Sequence, residues 1–252
     1  SVANGTATGG SFAITIPAGN IADNTSPLIY ANATDTAGNT GPCSASLQYI
    51  EDSQALPPTF NAQTSPTSPS STSTSPAIGG TAEAGATVTL YTDNACSSAV
   101  AGTGVANGGA FSIQVNVTAN SSTTFFGTTT DTAMNTSTCS SSSVTFISDK
   151  TGPTFAGVMS ATAISTNQMT VTWNAATDLY TTSAQMRYEI CMGATPRACD
   201  TTWSTYTTVT GVTSTTVSGL QPSTRYWVQV RAVDLAGNTG APVVNLGQSD
   251  RM

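Results

Sequence analysis

The chain has 252 residues with six Lys or Arg, thirteen Asp or Glu and no His, a net charge of -7 in which only 8% of residues are charged. That length suits two to three small domains, and 38% apolar residues separates the chain from disordered sequences. Without His there is no Ser-His-Asp or Cys-His dyad and no imidazole ligand; the acidic excess argues against nucleic acid, and no apolar run reaches the ~18 residues of a membrane span.

Ser and Thr make up nearly a third of the sequence, a composition that favours strands over helices. The opening residues are not expected to act as a signal peptide. The first 52 residues carry Gly9-Gly10-Ser11-Phe12 followed by Ile14 and Ile16. Then Ile29, Ala31 and Ala33 alternate into Asp35-Thr-Ala-Gly-Asn39, with Cys43 beyond. The same order returns as Gly108-Gly109-Ala110-Phe111 with Ile113 and Val115. Phe125, Gly127 and Thr129 next run into Asp131-Thr-Ala-Met-Asn135, and Cys139 follows. A third copy has Val228, Val230 and Ala232 leading into Asp234-Leu-Ala-Gly-Asn238. The copies lie roughly 100 residues apart, the length of one small β-sandwich. In each, period-2 alternation predicts a strand and the Asp to Asn segment predicts a turn, where Asx side chains bond their own backbone and Gly supplies a positive φ.

Three segments follow from this spacing: 1–52, read as the back half of a sandwich; 56–149, a complete one; and 151–250, a third. The front half of the first is expected either upstream in a longer chain or as strands donated by another copy. In the second segment, strands are predicted near 58–62, 76–82, 87–91 (Val88 and Leu90 inward), 111–115, 123–130 and 144–147. The Ser/Thr/Pro run 64–75 resembles a free linker by composition. Its place inside the repeat predicts an edge segment plus loop instead. The junctions near 51–56 and 148–152 are short, which predicts a semi-rigid rod of serial domains.

From Thr151 onward the chain resembles a fibronectin type III domain. Met169, Val171 and Trp173 look like that family's second strand with its core Trp. Leu220-Gln-Pro-Ser-Thr-Arg-Tyr226 through Asp234 is similar to its tyrosine corner and sixth strand. The resemblance implies that Tyr226 bonds its hydroxyl to nearby backbone. Residues 56–149, with the half-repeat 1–52, resemble bacterial Ig-like domains of large surface proteins, through Gly80-Thr-Ala-Glu-Ala-Gly-Ala-Thr87-Val-Thr-Leu-Tyr91 and the Asp-x-Ala-x-Asn turns. This second resemblance implies a secreted or cell-surface bacterial protein of serial sandwiches and implies no chemistry.

Five cysteines in such a chain point to an oxidising compartment. Cys191 and Cys199 bracket a Gly/Pro turn and are expected to staple a hairpin, a redox or metal pair being the alternative. Cys96 and Cys139 are the expected pair of the second segment, unless their strand ends fail to meet and the bond crosses between domains or chains. Cys43 is expected to bond a cysteine upstream of Ser1.

The turns Asp35/Asn39, Asp131/Asn135 and Asp234/Asn238 are candidates for weak calcium sites together with Glu51, Asp52 or Asp149, against which stands the turn that satisfies its own backbone. Trp227 and Trp203, with Tyr180 and Tyr206, are candidate outward aromatics for sugar or protein contact, or covers for neighbouring strands. Asn24, Asn32, Asn116, Asn120 and Asn135 head glycan-acceptor triplets that arise easily in this composition. The acids sit on turns and linkers with no two on one strand face, which offers no glycosidase pair.

The expected fold is all-β, tandem Ig-like and fibronectin type III sandwiches with the first incomplete. The expected function is a non-catalytic structural or adhesive segment of an extracellular bacterial fibre, without cofactor or metal. Its partners would be neighbouring domains, copies of itself, or a surface glycan or protein. The alternatives are a filament subunit built by strand donation and an accessory module of a secreted polysaccharide hydrolase.

Overall fold

The computed structural model describes residues 1–195, 197–200, 202–240 and 247–248, the last two by their backbone. Among these residues there is no helix; the chain is all-β, a series of β-sandwich modules. The strands in chain order are β1 (Leu28–Ile29), β2 (Leu47–Gln48), β3 (Thr59–Phe60), β4 (Ala77–Thr81), β5 (Thr87–Tyr91), β6 (Gly102–Val105), β7 (Ala110–Gln114) and β8 (Ser121–Thr130). They continue as β9 (Val144–Ser148), β10 (Val158–Ser165), β11 (Gln168–Trp173), β12 (Arg187–Gly193), β13 (Thr205–Thr210), β14 (Ser214–Ser218), β15 (Trp227–Val233) and β16 (Gly247–Gln248).

The chain packs as two compact units. One comprises Ser1–Thr59, Gly80–Phe111 and Phe126–Ser142; the other comprises Phe60–Gly79, Ser112–Phe125 and the chain from Ser143 onward.

The first segment holds one antiparallel pair, β1 with β2, Leu28 opposite Gln48. Phe12 is 62% exposed and Leu47 69%. The Gly9-Gly10 turn closes a single bridge between Thr8 and Ser11, the counterpart of the Asn107 to Ala110 bridge that opens β7. In the second copy this turn continues into a five-residue strand with Phe111 and Ile113 buried. In the first copy no ladder follows it.

β3, β4 and β7 form a three-stranded sheet in the order β3-β4-β7, and β6-β5-β8-β9 form a four-stranded one. Val88 and Leu90 of β5, Phe125 of β8 and Phe146 of β9 are fully buried, the alternation that period 2 requires. Gly80 is where β4 passes closest to its neighbours. A Cβ there would lie 2.1 Å from the Thr59 carbonyl oxygen and 2.6 Å from the Phe111 ring, so only glycine fits. β6 is the strand that sequence reading does not find. Its Gly-Thr-Gly-Val has no apolar alternation, and it forms because it pairs with β5, Val88 opposite Gly104, as an edge strand.

The Ser/Thr/Pro run is part of the fold, as an edge segment plus loop. Ser70 forms a parallel bridge to Ser148: its N–H donates to the Ile147 carbonyl at 3.0 Å and its carbonyl accepts from Asp149 N–H at 2.9 Å. Ser68 Oγ accepts from Ile147 N–H at 2.9 Å, and Ser148 Oγ donates to the Ser73 carbonyl at 3.0 Å. Thr64 and Ser70 are buried. The free-linker alternative fails because these backbone groups are paired to β9, and a solvated linker would leave them to water.

From β10 on, β10-β11-β14 make one sheet and β13-β12-β15-β16 another. Their shared core is Phe155, Met169, Val171, Trp173, Tyr188, Ile190, Val217, Leu220, Val228 and Val230 among others. Trp173 and Phe155 meet the Tyr188 ring at 5.3 and 5.6 Å between centroids, and the Tyr188 hydroxyl accepts the Ala176 N–H at 2.8 Å. At the edge Tyr226 Oη accepts the Gln221 N–H at 3.0 Å, the backbone bond of a tyrosine corner. Glu189, in the middle of β12, accepts from Arg231 Nη2 at 2.6 Å and pairs with Arg187. The expectation that every acid sits on a turn or linker is therefore corrected: an acid is tolerated within a strand where two arginines flank it.

Candidate functional site

Three turns are built alike from their residue types. In each, the Asp N–H donates to the Asn carbonyl (Asp35 to Asn39 at 2.9 Å, Asp131 to Asn135 at 3.0 Å, Asp234 to Asn238 at 3.1 Å). The Asp Oδ1 accepts the Asn N–H at 2.8 Å in all three, and Oδ2 accepts the Asn Nδ2 at 3.0, 2.9 and 2.9 Å. Thr34 with Thr40 and Thr130 with Thr136 bridge the bases of the first two turns through their hydroxyls. The fourth residue lies in the left-handed region, Gly38 at φ 90° and Gly237 at φ 88°, and Met134 takes that conformation at φ 72° without glycine's freedom.

Two copies do more. Asn135 Nδ2 also donates to the Asp52 carbonyl at 3.1 Å, and Asn238 Nδ2 to the Asp149 carbonyl at 2.9 Å. A side chain at the end of one module thus holds the backbone that leads into that module. This junction role has a sequence signal, an Asn whose amide retains one N–H after its Asp is satisfied, but nothing in the motif names the acceptor.

The carboxylates report the same bonds. The Asn39 side-chain and backbone donors hold Asp35 below its ordinary value. For Asp131 burial pushes upward, and the donors of Asn135, with the Ala133 and Met134 N–H groups, outweigh it and leave the carboxyl lowered. Both oxygens of Asp35 and of Asp131 are engaged within their turns, and among the described residues neither joins a group of three or more metal-ligating side chains. Glu51 turns instead to the Asn24 N–H.

The third turn has Asp149 beside it, a partner the sequence offered, and also Asp178, which it did not. Asp149, Asp178 and Asp234 arrive from the strand end after β9, the loop after β11 and the end of β15, and each places a carboxylate oxygen within 4.8 Å of the others. Asp178 Oδ1 accepts the Tyr180 and Thr181 N–H groups at 2.9 and 2.8 Å. Asp149 is 1% exposed; its Oδ1 accepts the Thr151 N–H at 3.2 Å while Oδ2 is buried without a hydrogen-bond partner. Burial holds this carboxyl above its ordinary value; the Thr151 N–H opposes that, and the charges of Asp178 and Asp234 add to it. A cavity of about 160 Å³ adjoins, lined by Asn120, Asp149, Thr151, Thr177, Asp178 and Tyr180 among others. Asp178 was invisible as a candidate because nothing in its sequence neighbourhood repeats.

Cys96 and Cys139 are disulfide-bonded with Cα atoms 5.6 Å apart, so the two strand ends do meet; Cys191 and Cys199 are bonded at 6.0 Å, and Cys43 is free and exposed. The Cys96 loop is organised by Asp93, whose carboxylate accepts the Ala95, Ser97 and Ser98 N–H groups. Of the aromatic candidates, Trp203 lies half-buried beneath the Arg231 guanidinium, 4.3 Å from its ring centre, and Trp227 is half-buried on β15. The hydroxyls of Tyr206 and Tyr180 bond the Ser218 and Asn120 carbonyls.

Residues 153–244 match the family model described as fibronectin type III domain. This part of the chain is similar to fibronectin type III domains. The chain is also 37% identical over 95 residues to Exoglucanase B of Cellulomonas fimi, a match that covers 38% of the chain and 8% of that relative's length. Among solved structures, it is similar to the FN1-FN3 domains of chicken CNTN1, with a TM-score of 0.42 and 14% identity over 86% of this chain and 76% of that one. It is also similar to domains A168-A170 of titin, with a TM-score of 0.46 and 13% identity over 92% of this chain and 75% of that one.

Proposed function

We propose that the chain is a non-catalytic structural segment of an extracellular protein, a series of sandwiches that spaces or presents a binding part carried elsewhere, as in a bacterial surface fibre. The observation that carries this reading is the repeated Asp-to-Asn turn, whose asparagine holds the backbone entering its own module at Asp52 and again at Asp149. A spacer needs such fixed entries, and an active site does not. Two disulfides support an oxidising compartment. Among the described residues no helix is long and apolar enough to cross a membrane. Neighbouring domains and copies of the same chain are the partners this role calls for. Protease shaving of intact cells that make the protein tests it: peptides of this chain released before lysis support the role, and release only after lysis contradicts it.

The exoglucanase relative favours a second reading, an accessory module of a secreted polysaccharide hydrolase. That role predicts retention on insoluble cellulose that Trp227→Ala weakens. A chain that stays in the supernatant at every loading removes this reading and leaves the first.

A further inference from the structure

We propose that Asp149, Asp178 and Asp234 form a calcium site. The argument is independent of the spacer reading. Three carboxylates converge within 4.8 Å, and none takes part in the ion pairs found among the described residues, Arg187–Glu189, Arg231–Glu189 and Arg197–Asp200. Convergence alone is common at surfaces; the second observation is what points to a ligand. Asp149 is 1% exposed and its Oδ2 has no partner, although a buried carboxylate oxygen left bare is among the costlier things a fold can hold. A cation supplies what the protein does not.

Two oxygens on one ion lie no farther apart than twice the metal–oxygen bond, about 4.8 Å at calcium's ~2.4 Å, and the three carboxylates lie within that limit. Calcium is the cation expected, because it accepts a flexible shell of protein and water oxygens, whereas magnesium demands near-ideal octahedral geometry and gives up its waters reluctantly. Three side chains fall short of calcium's ~6 to 8 ligands. The adjoining cavity of about 160 Å³, which Asp149 and Asp178 both line, has room for waters to complete the shell. The donors that already hold each acid, Thr151 N–H on Asp149, Tyr180 and Thr181 N–H on Asp178 and both donors of Asn238 on Asp234, fix the carboxylates in place before the ion arrives. One dispensable charge is thereby available for test: Asp178→Asn keeps an acceptor for those two N–H groups and removes the anion.

The test is calorimetric titration of the chelator-treated chain with calcium chloride, paired with terbium luminescence excited through Tyr180, which lines the cavity. The expected result is one site with Kd on the order of 10⁻⁴ to 10⁻³ M, weakened at least tenfold by Asp178→Asn and at least tenfold weaker for magnesium chloride. Terbium emission should be displaced by calcium and fall in Tyr180→Phe, a readout that survives if Asp178→Asn does not fold by circular dichroism. The proposal is overturned if the folded chain shows neither calcium heat nor displaceable emission. Unchanged calcium affinity in folded Asp178→Asn, magnesium binding as tight as calcium, or emission indifferent to Tyr180→Phe would each overturn it too.

Discussion

The turn at Asp35 and the turn at Asp131 have the same internal hydrogen bonds to within about 0.1 Å, yet the strands that lead into them differ sharply. Phe125, Gly127 and Thr129 are buried, whereas Ile29 and Ala31 are half-buried and Ala33 is exposed. An Asx turn closes on its own side chains and needs only the local sequence; burial of an alternating strand needs a second sheet to receive it. Local order and core formation are therefore separable here.

The largest effect that would sharpen this comparison is in the core. Phe125→Ala should destabilise by about 3 to 5 kcal/mol and Ile29→Ala by less than about 1, measured by denaturant unfolding; equal losses would break the contrast. Next, reducing Cys96–Cys139, which spans 43 residues, should cost about 3 to 4 kcal/mol by the loop-entropy argument, and Cys191–Cys199, spanning 8, less; calorimetry of single Cys-to-Ser variants measures both. Asn238→Ala removes a bond to the entering backbone as well as one within the turn, and should cost about 1 to 2 kcal/mol, more than Asn39→Ala.

Acid gives a fourth test. Asp35 and Asp131 have lowered carboxyls in the folded chain, so the stability they contribute is fully present above the unfolded value near 3.8 and is lost only as pH falls through their still lower folded values. Unfolding followed from pH 6 to 2 should show no loss from these turns until the pH is below about 4, and Asp35→Asn should flatten that acid limb. Smallest is Met134→Gly. Met134 is 79% exposed at φ 72°, and glycine there should stabilise by about 0.5 to 1 kcal/mol through relief of backbone strain.

What the sequence made legible follows the same division. Alternation located β5, β7, β8 and β9 because their inward residues are apolar and their periods unbroken. The Trp173 and Tyr226 neighbourhoods named the fold of the last module because a core indole and a corner hydroxyl leave residue-level marks. β6 was illegible, since an edge strand of Gly and Thr owes its existence to its neighbour. The three-acid cluster was legible only in part: Asp149 and Asp234 were candidates, but Asp178 is separated from both by long stretches of chain and joins them only after its loop is placed. The Asn to Asp149 carbonyl bond was likewise hidden, because one partner is a backbone group that every residue carries.

The most direct measurement of the central claim, that these asparagines hold the entering backbone, is limited trypsin digestion followed by mass spectrometry at Lys150–Thr151. Lys150 is exposed and flanks the segment that Asn238 grips. Cleavage there should be slow in the native chain and about tenfold faster in Asn238→Ala, since losing 1.4 kcal/mol raises the open population tenfold. Rapid cutting at Lys150 in the native chain, or a rate that Asn238→Ala leaves unchanged, would contradict the account.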